Sequence, residues 1–274
     1  MNAISSSTDS DACNDEGRSA RPAATSRRLP QLVAHRGNAR EFPENTIASL
    51  RSAIDLGLRH IEFDIQLSAD EVPVVIHDDT LVRTAGRPES VFELDAADLL
   101  KIEASERTRF DDRFSDIRIP SLEQVTELLA AHPQVTAFVE IKRASLQRFG
   151  SATVVSRVME QLRPVRQQCV IVSFDLASVQ AARHAGSAAV GWVLDQYDDR
   201  ARGKYEALRP DFLFCNHLKL PRTTARLWRG PWRWVVYEID TMADAMSLGE
   251  RGVEFVETMA VRSLLHGLRA ISHG

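Results

Sequence analysis

Residues 32–65 read LVAHRGNAREFPENTIASLRSAIDLGLRHIEFDI. A short apolar run, Leu32 to His35, leads through a polar loop to a helical stretch, Asn45 to Leu56, and then to a second apolar run, His60 to Ile65. Short apolar runs that alternate with helical stretches are typical of β-α-β units with parallel strands. The segment therefore predicts two parallel strands that are joined by a helix.

The same alternation continues to the end of the chain. Eight apolar runs are predicted as strands: Leu32 to His35, His60 to Ile65, Ala137 to Ile141, Val170 to Phe174, Val190 to Leu194, Phe212 to Cys215, Trp234 to Ile239 and Phe255 to Thr258. Helices are predicted at Asn45 to Leu56, Ser121 to Ala131, Ala152 to Leu162, Leu176 to His184, Met242 to Glu250 and Val261 to Ile271. Eight β-α units favour an α/β fold, the TIM (β/α)8 barrel, and 274 residues suit one such domain. We expect this domain at residues 29–274.

One interval is far longer than an ordinary loop between a strand and a helix. Roughly 55 residues separate the second strand from the helix that starts at Ser121, where a few residues are usual. We predict a small insertion at residues 66–120. Its start, with Ala69-Asp70-Glu71 between two apolar runs, predicts a hairpin that returns His77 to the end of the second strand.

Composition and charge restrict the partners and the compartment. A net charge of −4 gives no overall positive field, so we expect no nucleic acid partner. The three cysteines, Cys13, Cys169 and Cys215, lack the spacing of a zinc site or a disulfide framework, which indicates a reducing compartment. Residues 1–28 carry no apolar run of export-signal length and are predicted as a disordered tail. No apolar stretch approaches 18 residues, so we expect no transmembrane segment and a cytoplasmic protein.

Three carboxylates are predicted at the carboxyl ends of neighbouring strands. Glu62 and Asp64 are two residues apart on one strand and therefore point to the same side, and Glu140 repeats this position on the next barrel strand. Carboxylates that converge in this way repel one another unless a cation lies between them, and oxygen ligands favour one divalent cation, Mg²⁺ or Ca²⁺. The alternative is that Glu62 and Asp64 only pair with Lys142 and Arg36.

Two histidines supply groups that titrate near neutral pH. His35 and His77 each follow an apolar run, so each can remove a proton from a nucleophile or return one to a leaving group. Arg36 offers a fork of donors for phosphoryl oxygens, and Lys142 offers a compact positive charge. Together these residue types suit a metal-assisted reaction at phosphorus.

These motifs resemble those of the glycerophosphodiester phosphodiesterase family over residues 32–265. The matching motifs are His35-Arg36-Gly37, Pro43-Glu44-Asn45-Thr46, Glu62-Phe63-Asp64, His77-Asp78, Ile119-Pro120-Ser121-Leu122 and Glu140-Ile141-Lys142. The resemblance implies a TIM barrel with a small insertion after the second strand. It also implies His35 and His77 as the acid-base pair, Arg36 and Lys142 on the phosphate, and a metal held by the carboxylates Glu62, Asp64 and Glu140.

The chain departs from the family pattern near its carboxyl terminus. Tyr237-Glu238-Ile239-Asp240 stands where the family often has Trp-Thr-Val-Asn, and Val256-Glu257-Thr258 stands where it often has Ile-Thr-Asp. Tyr237 can still stack on a glycerol backbone and is predicted to bind substrate. Glu238 and Glu257 add negative charge if they face the mouth, which could disfavour anionic leaving groups.

We therefore expect metal-dependent hydrolysis of a small glycerophosphodiester to glycerol 3-phosphate and an alcohol, with attack by water or by the neighbouring glycerol hydroxyl through a cyclic phosphate. One alternative is a lysophospholipase D-type phosphodiesterase that acts on lysophospholipids. A less favoured alternative is a catalytically silent binding protein on the same scaffold. Trp228, Trp232 and Trp234 are interpreted as aromatics that cover the outside of a strand; the alternative is a patch for weak membrane-surface or homo-oligomer contact.

Overall fold

Eight parallel strands close into a barrel in the computed structural model, which describes residues 29–222 and 226–272. The strands are β1 Gln31–Ala34, β2 His60–Leu67, β3 Pro73–Val75, β4 Thr136–Ile141, β5 Cys169–Ser173, β6 Ala189–Val193, β7 Phe212–Asn216, β8 Arg233–Tyr237 and β9 Phe255–Thr258. The order is β1-β9-β8-β7-β6-β5-β4-β2, and pairing of β1 with β2 completes the ring. β3 lies outside the ring and pairs antiparallel with β2. The TIM barrel prediction is confirmed, whereas the tail predicted at residues 1–28 lies outside the described residues.

The helices between these strands include all six that the sequence predicts. They are α1 Ile47–Asp55, α2 Val82–Ala85, α3 Ala96–Leu99, α4 Arg107–Phe110, α5 Leu122–Ala130, α6 Arg143–Phe149, α7 Ser151–Gln161, α8 Leu176–His184, α9 Asp199–Leu208, α10 Met242–Glu250 and α11 Val261–Ser272. The sequence did not predict α6 and α9, or the three short helices α2, α3 and α4 between β3 and α5. α9 is strongly polar and contains Gly203, so it lacks the apolar periodicity that reveals a helix. In the described part of the chain, no helix has both the length and the apolar character needed to cross a membrane.

The interior of the barrel has an aromatic layer near the amino-terminal ends of the strands. The ring of Phe138 on β4 lies 5.1 Å from that of Phe212 on β7, 5.4 Å from Phe214 and 6.1 Å from Phe255 on β9, measured between centroids. His60 covers this layer, with its ring 5.0 Å from that of Phe255. Filling of this end with side chains leaves the opposite, carboxyl-terminal end for a site.

The stretch from β2 to α5 returns to the barrel through a hairpin and a small apolar cluster of its own. Ile65 on β2 pairs with Val75 on β3, which turns the chain back along β2 before His77. Eight buried apolar residues hold the segment together: Val74, Ile76, Leu81, Val91, Leu99, Ile102, Ala104 and Ile119. Ser121 then caps α5, because its hydroxyl accepts a hydrogen bond from the backbone N–H of Gln124.

The tryptophans do not form an exposed patch. Trp232 and Trp234 are buried, and Trp228 stacks on Tyr197 with ring centroids 3.9 Å apart. The ring of Trp232 lies equally close to that of Tyr205. This packing favours the interpretation that these aromatics cover strands and helices, and a membrane or oligomer contact at them stays a prediction.

Candidate active site

Asp64 is the best-paired carboxylate at the carboxyl-terminal end of the barrel. Its Oδ1 lies 3.2 Å from Lys142 Nζ, and its Oδ2 lies 3.3 Å from Arg36 Nε. Burial alone would raise the pKa of Asp64, but the charges of Lys142 and Arg36 overcome it and hold this pKa well below its ordinary value. Register pairs Asp64 with Glu140, whose Oε1 lies 2.7 Å from the same lysine nitrogen. The ion pairs that the sequence left open therefore exist.

Asn45 holds Asp64 from the loop that precedes α1. Its Nδ2 donates to Asp64 Oδ2 at 2.8 Å, and its Oδ1 accepts from the backbone N–H of Asp64 at 3.1 Å. Asn45 adopts a φ of 55°, a left-handed conformation that asparagine tolerates better than most residues. Thr46 then caps α1 by accepting from the N–H of Ser49 at 3.2 Å. The motif around Asn45 thus both starts a helix and fixes a carboxylate.

Gly37 allows the loop to turn tightly against α1. Its φ is 81°, and a Cβ atom at this position would lie 2.5 Å from the hydroxyl of Ser49. Such a distance is far below van der Waals contact, so only glycine fits here. The tight turn places the two residues before it, His35 and Arg36, at the mouth of the barrel.

Arg36 is held by carboxylates on several sides. Its backbone N–H donates to Glu62 Oε2 at 2.9 Å, and its Nη1 donates to Glu44 Oε1 at 2.9 Å. Glu44 also accepts two hydrogen bonds from Arg83, which belongs to the segment between β2 and α5. The guanidinium is therefore fixed before any substrate binds, as a preorganised phosphate ligand requires.

Glu62 is only 3% exposed, and among the described residues its side chain forms no ion pair with a lysine or an arginine. Its Oε1 has no hydrogen-bond partner among the described residues. Burial, and then the neighbouring charge of Asp64, raises the pKa of Glu62 well above its ordinary value. Oxygen atoms of Glu62, Asp64 and Glu140 lie within 4.8 Å of one another, so the three could hold a metal ion. The carboxylate donors and the unpartnered Glu62 oxygen suit a hard divalent cation.

His77 stands at the end of the hairpin and is oriented by its neighbour. Its Nδ1 lies 2.6 Å from Asp78 Oδ1, and Asp78 Oδ2 accepts from Arg83 Nε at 2.7 Å. The backbone carbonyl of His77 accepts from Gln66 Nε2 at 3.0 Å. Because Asp78 engages Nδ1, this contact orients the ring and leaves Nε2 outside the hydrogen bond.

His35 is buried at the barrel seam, which is the part of the ring where β1 lies between β9 and β2. Its backbone N–H donates to the carbonyl of Thr258 on β9 at 3.0 Å, and its Nε2 lies 4.0 Å from Glu62 Oε2. Its Nδ1 has no hydrogen-bond partner among the described residues. Burial, followed by the positive charge of Arg36, lowers the pKa of His35 well below its ordinary value. The imidazole is therefore neutral near pH 7.

Glu257 belongs to the lining of the cavity, whereas the sequence predicted only that it adds negative charge if it faces the mouth. It lies on β9, is 3% exposed and forms a second possible metal group with His35 and Glu62. Burial, and then the charge of Glu140, raises the pKa of Glu257 well above its ordinary value. The available signal was its position two residues after Phe255, because alternate residues of a barrel strand face the interior.

All eight site residues that the sequence predicts line one cavity of about 110 Å³. They are His35, Arg36, Glu62, Asp64, His77, Glu140, Lys142 and Tyr237. Glu238 and Glu257 complete its polar wall, and the opposite wall is apolar, with Val172, Phe174, Val193 and Phe214. A larger, open groove of about 450 Å³ lies against α7 and α8, but it gathers no comparable set of reactive groups. The roles of the eight residues stay predictions.

The fold and this cavity define a TIM barrel with a cluster of acids, bases and cations at the carboxyl ends of its strands. The model of the Glycerophosphoryl diester phosphodiesterase family matches residues 35–258, so the chain belongs to this family. The matched range includes every predicted site residue.

Individual relatives agree with this family. A glycerophosphodiester phosphodiesterase of Caldanaerobacter subterraneus is 40% identical over 98 residues, a match that covers 36% of this chain and 40% of that protein. Glycerophosphodiester phosphodiesterase 1 of Rattus norvegicus is 37% identical over 111 residues, and this match covers 40% of this chain and 33% of that protein. The chain thus spans less than half the length of these relatives. A protein of Bacillus subtilis that is described as a glycerophosphodiester phosphodiesterase is 28% identical over 81% of this chain and 92% of its own length.

Solved structures show the same fold. A phosphodiesterase from Oleispira antarctica, solved in complex with its product sn-glycerol-3-phosphate, superposes with a TM-score of 0.76 at 21% identity over 88% of this chain and 97% of that one. A protein from Galdieria sulphuraria that is described as a glycerophosphodiester phosphodiesterase superposes with a TM-score of 0.73 at 15% identity, over 88% and 98% of the two chains.

Proposed function

We propose that this protein is a metal-dependent phosphodiesterase that hydrolyses glycerophosphodiesters to glycerol 3-phosphate and an alcohol. The observation that carries the proposal is the meeting of two histidines, two fixed cations and three carboxylates in one cavity at the catalytic end of a TIM barrel. Membership of the phosphodiesterase family supports it.

The phosphodiester would lie between the histidines, with its oxygens on Arg36 and Lys142. Both cations are held in place by carboxylates, so they need no reorganisation as negative charge develops on the phosphoryl group. Tyr237, whose ring centroid lies 6.3 Å from that of His35, would pack against the glycerol backbone. Lys142, which Glu140 holds in place, thus orients the phosphate, and Tyr237 orients the glycerol.

The two histidines would divide the proton transfers. One removes a proton from the attacking oxygen, which belongs either to water or to the neighbouring glycerol hydroxyl, and the other gives a proton to the departing alcohol. The hydrogen bond that Asp78 Oδ1 accepts from His77 Nδ1 keeps the ring in one orientation during this exchange. Glu62, Asp64 and Glu140 would hold the divalent cation, which supplies Lewis acidity when bound.

The cavity is too small to enclose the acyl chain of a lysophospholipid. About 110 Å³ is well below the roughly 300 Å³ at which clefts for larger ligands begin, so an acyl chain would have to lie outside it. The tryptophans that could have formed a lipid-facing surface are packed in the fold. A silent scaffold is least supported, because every reactive residue of the predicted set is present in the cavity.

The test is release of glycerol 3-phosphate from glycerophosphocholine, glycerophosphoethanolamine and glycerophosphoglycerol. Each substrate is offered with Mg²⁺, with Ca²⁺ and with chelator, to the wild type and to His35→Ala and His77→Ala. His184→Ala, at the end of α8, is the matched control. Metal-dependent release that both cavity variants abolish and the control retains would support the proposal. Wild-type turnover in both cavity variants would refute the acid-base pair.

Metal binding needs its own readout, independent of turnover. Glu140→Gln should weaken Mg²⁺ or Ca²⁺ binding in isothermal titration calorimetry, because it removes one of three carboxylates from the proposed group. Unchanged affinity in a folded variant would place the cation elsewhere. Lysophospholipids are the next substrates if no glycerophosphodiester is cleaved.

A further inference from the structure

Three side chains at the seam of the barrel form a group that the proposed mechanism leaves partly unused. His35 follows β1, Glu62 lies on β2 and Glu257 lies on β9, and these three strands are neighbours in the ring. One nitrogen of the histidine and one oxygen of each carboxylate lie within 4.8 Å of one another. The backbone fixes this geometry, since β9 pairs with β1 at Val33 and Glu257.

Each member of the group has a buried polar atom without a partner. The described residues contain nine such side-chain atoms, and three of them are His35 Nδ1, Glu62 Oε1 and Glu257 Oε1. The parent residues are 8%, 3% and 3% exposed. Buried polar atoms are rarely left unpaired, so their concentration at one point indicates a missing ligand.

The nearby side-chain cations form their ion pairs with other carboxylates. Lys142 forms ion pairs with Asp64 and Glu140, and the guanidinium of Arg36 forms ion pairs with Asp64 and Glu44. Glu62 receives only a backbone N–H from Arg36, at 2.9 Å. Two buried carboxylates that face each other without a cation need either protons or a metal.

We propose that His35, Glu62 and Glu257 form a second cation site that selects a transition metal such as Zn²⁺. One imidazole nitrogen and two carboxylate oxygens are a ligand set that zinc accepts, with a fourth position open to the cavity. Mg²⁺ and Ca²⁺ prefer oxygen donors only, so they should favour the group of Glu62, Asp64 and Glu140. The two sites share Glu62. His35 and Glu257 belong only to the second site.

Occupation of this site has a consequence for turnover that rests on the proposed function. A metal on His35 takes the electron pair with which the imidazole would accept a proton, so Zn²⁺ should inhibit at the concentration at which it binds. The binding itself does not depend on the protein having any activity.

The binding test uses the purified full chain, stripped of metal, and Zn²⁺ as the probe. Zn²⁺ affinity and stoichiometry are measured by isothermal titration calorimetry in excess Mg²⁺, for the wild type, Glu257→Gln and Glu238→Gln. Glu238 is the matched control, because it lines the same cavity but lies outside the group. We expect one Zn²⁺ per chain in the wild type, an affinity at least about 10-fold weaker in Glu257→Gln, and no change in Glu238→Gln.

Two further measurements separate the outcomes. Replacement of Zn²⁺ by Co²⁺ should give a visible absorption spectrum that changes in Glu257→Gln, since the spectrum reports the ligands of the ion. Equal Zn²⁺ affinity in the wild type and in folded Glu257→Gln would overturn the site. Zn²⁺ that binds as expected but leaves glycerol 3-phosphate release untouched would instead overturn the role of His35 in the proposed function.

Discussion

The two ends of the barrel interior are formed by the same strands, but one end is lined by apolar aromatic side chains and the other by charged side chains. On β4, Phe138 faces the aromatic layer and Glu140 faces the cavity; on β9, Phe255 and Glu257 repeat the pair. The partners in each pair are two residues apart, about 6.6 Å along the strand. A single step of the strand period thus separates a packed core from a cluster of charges.

This difference separates stability from function within one sheet. The aromatic layer removes apolar surface from water and closes the amino-terminal end. The charged end holds buried carboxylates whose repulsion opposes folding and whose geometry suits a cation. Substitutions at the two ends should therefore affect different quantities.

The largest effect is expected at the charged end. His77→Ala should lower kcat by roughly 10²- to 10⁴-fold, because it removes one of the two proton-transfer groups. The free energy of unfolding should change little, since the ring is half-buried and its main contact is the hydrogen bond with Asp78. Single-turnover kinetics and urea unfolding on the same preparation measure both. A stability loss as large as the rate loss would contradict the separation.

Phe138→Ala at the aromatic end should do the reverse. We expect the free energy of unfolding to fall by about 3–5 kcal/mol, because the deletion leaves a cavity among Phe212, Phe214 and Phe255. Below its unfolding temperature the variant should keep kcat within a few-fold of the wild type. Denaturant unfolding gives the first quantity, and steady-state kinetics at low temperature gives the second.

Glu257→Gln should raise stability in metal-free buffer near pH 7. The folded-state pKa of Glu257 is raised, so the wild type loses stability as pH rises from the unfolded value near 4.5 through the folded value. The glutamine variant lacks this loss and should be more stable by roughly 1–3 kcal/mol at neutral pH, with little difference below pH 4. Thermal unfolding across pH measures the difference. A variant that is less stable at pH 7 would show that the carboxylate is compensated.

At neutral pH the smallest effect is expected at His60, the titratable group of the aromatic end, because its contribution to stability changes only below about pH 6.5. Burial, and then the charges of Arg233 and Arg59, lowers the pKa of His60 from 6.5 to about 4. The unfolded chain therefore takes up the proton first as pH falls, and the wild type loses up to about 1.4 kcal/mol per pH unit between these values. His60→Gln should flatten this part of the pH profile of stability. Parallel profiles for the two proteins would contradict it.

Much of the fold and most of the site could be predicted from the sequence, because their signals are local. Eight apolar runs and six helical stretches mark the barrel, and two of the helices, α8 and α10, begin and end where predicted. The spacing of Glu62 and Asp64 places both on one face of a strand, and this requires only the two-residue period of β structure. The hairpin that returns His77 to the end of β2 was also predicted, from a polar turn between two apolar runs.

Only the tertiary structure decided which groups meet across the seam. Glu257 lies more than 200 residues from His35 in the chain, and they come together because pairing of β9 with β1 closes the ring. The network of Asp78, Arg83 and Glu44 likewise joins the segment after β2 to the loop before α1. Burial, compensation of charge and the direction of a pKa shift are properties of packed neighbours. The local pattern of a strand determines which face a residue takes, whereas closure of the barrel determines what that residue faces.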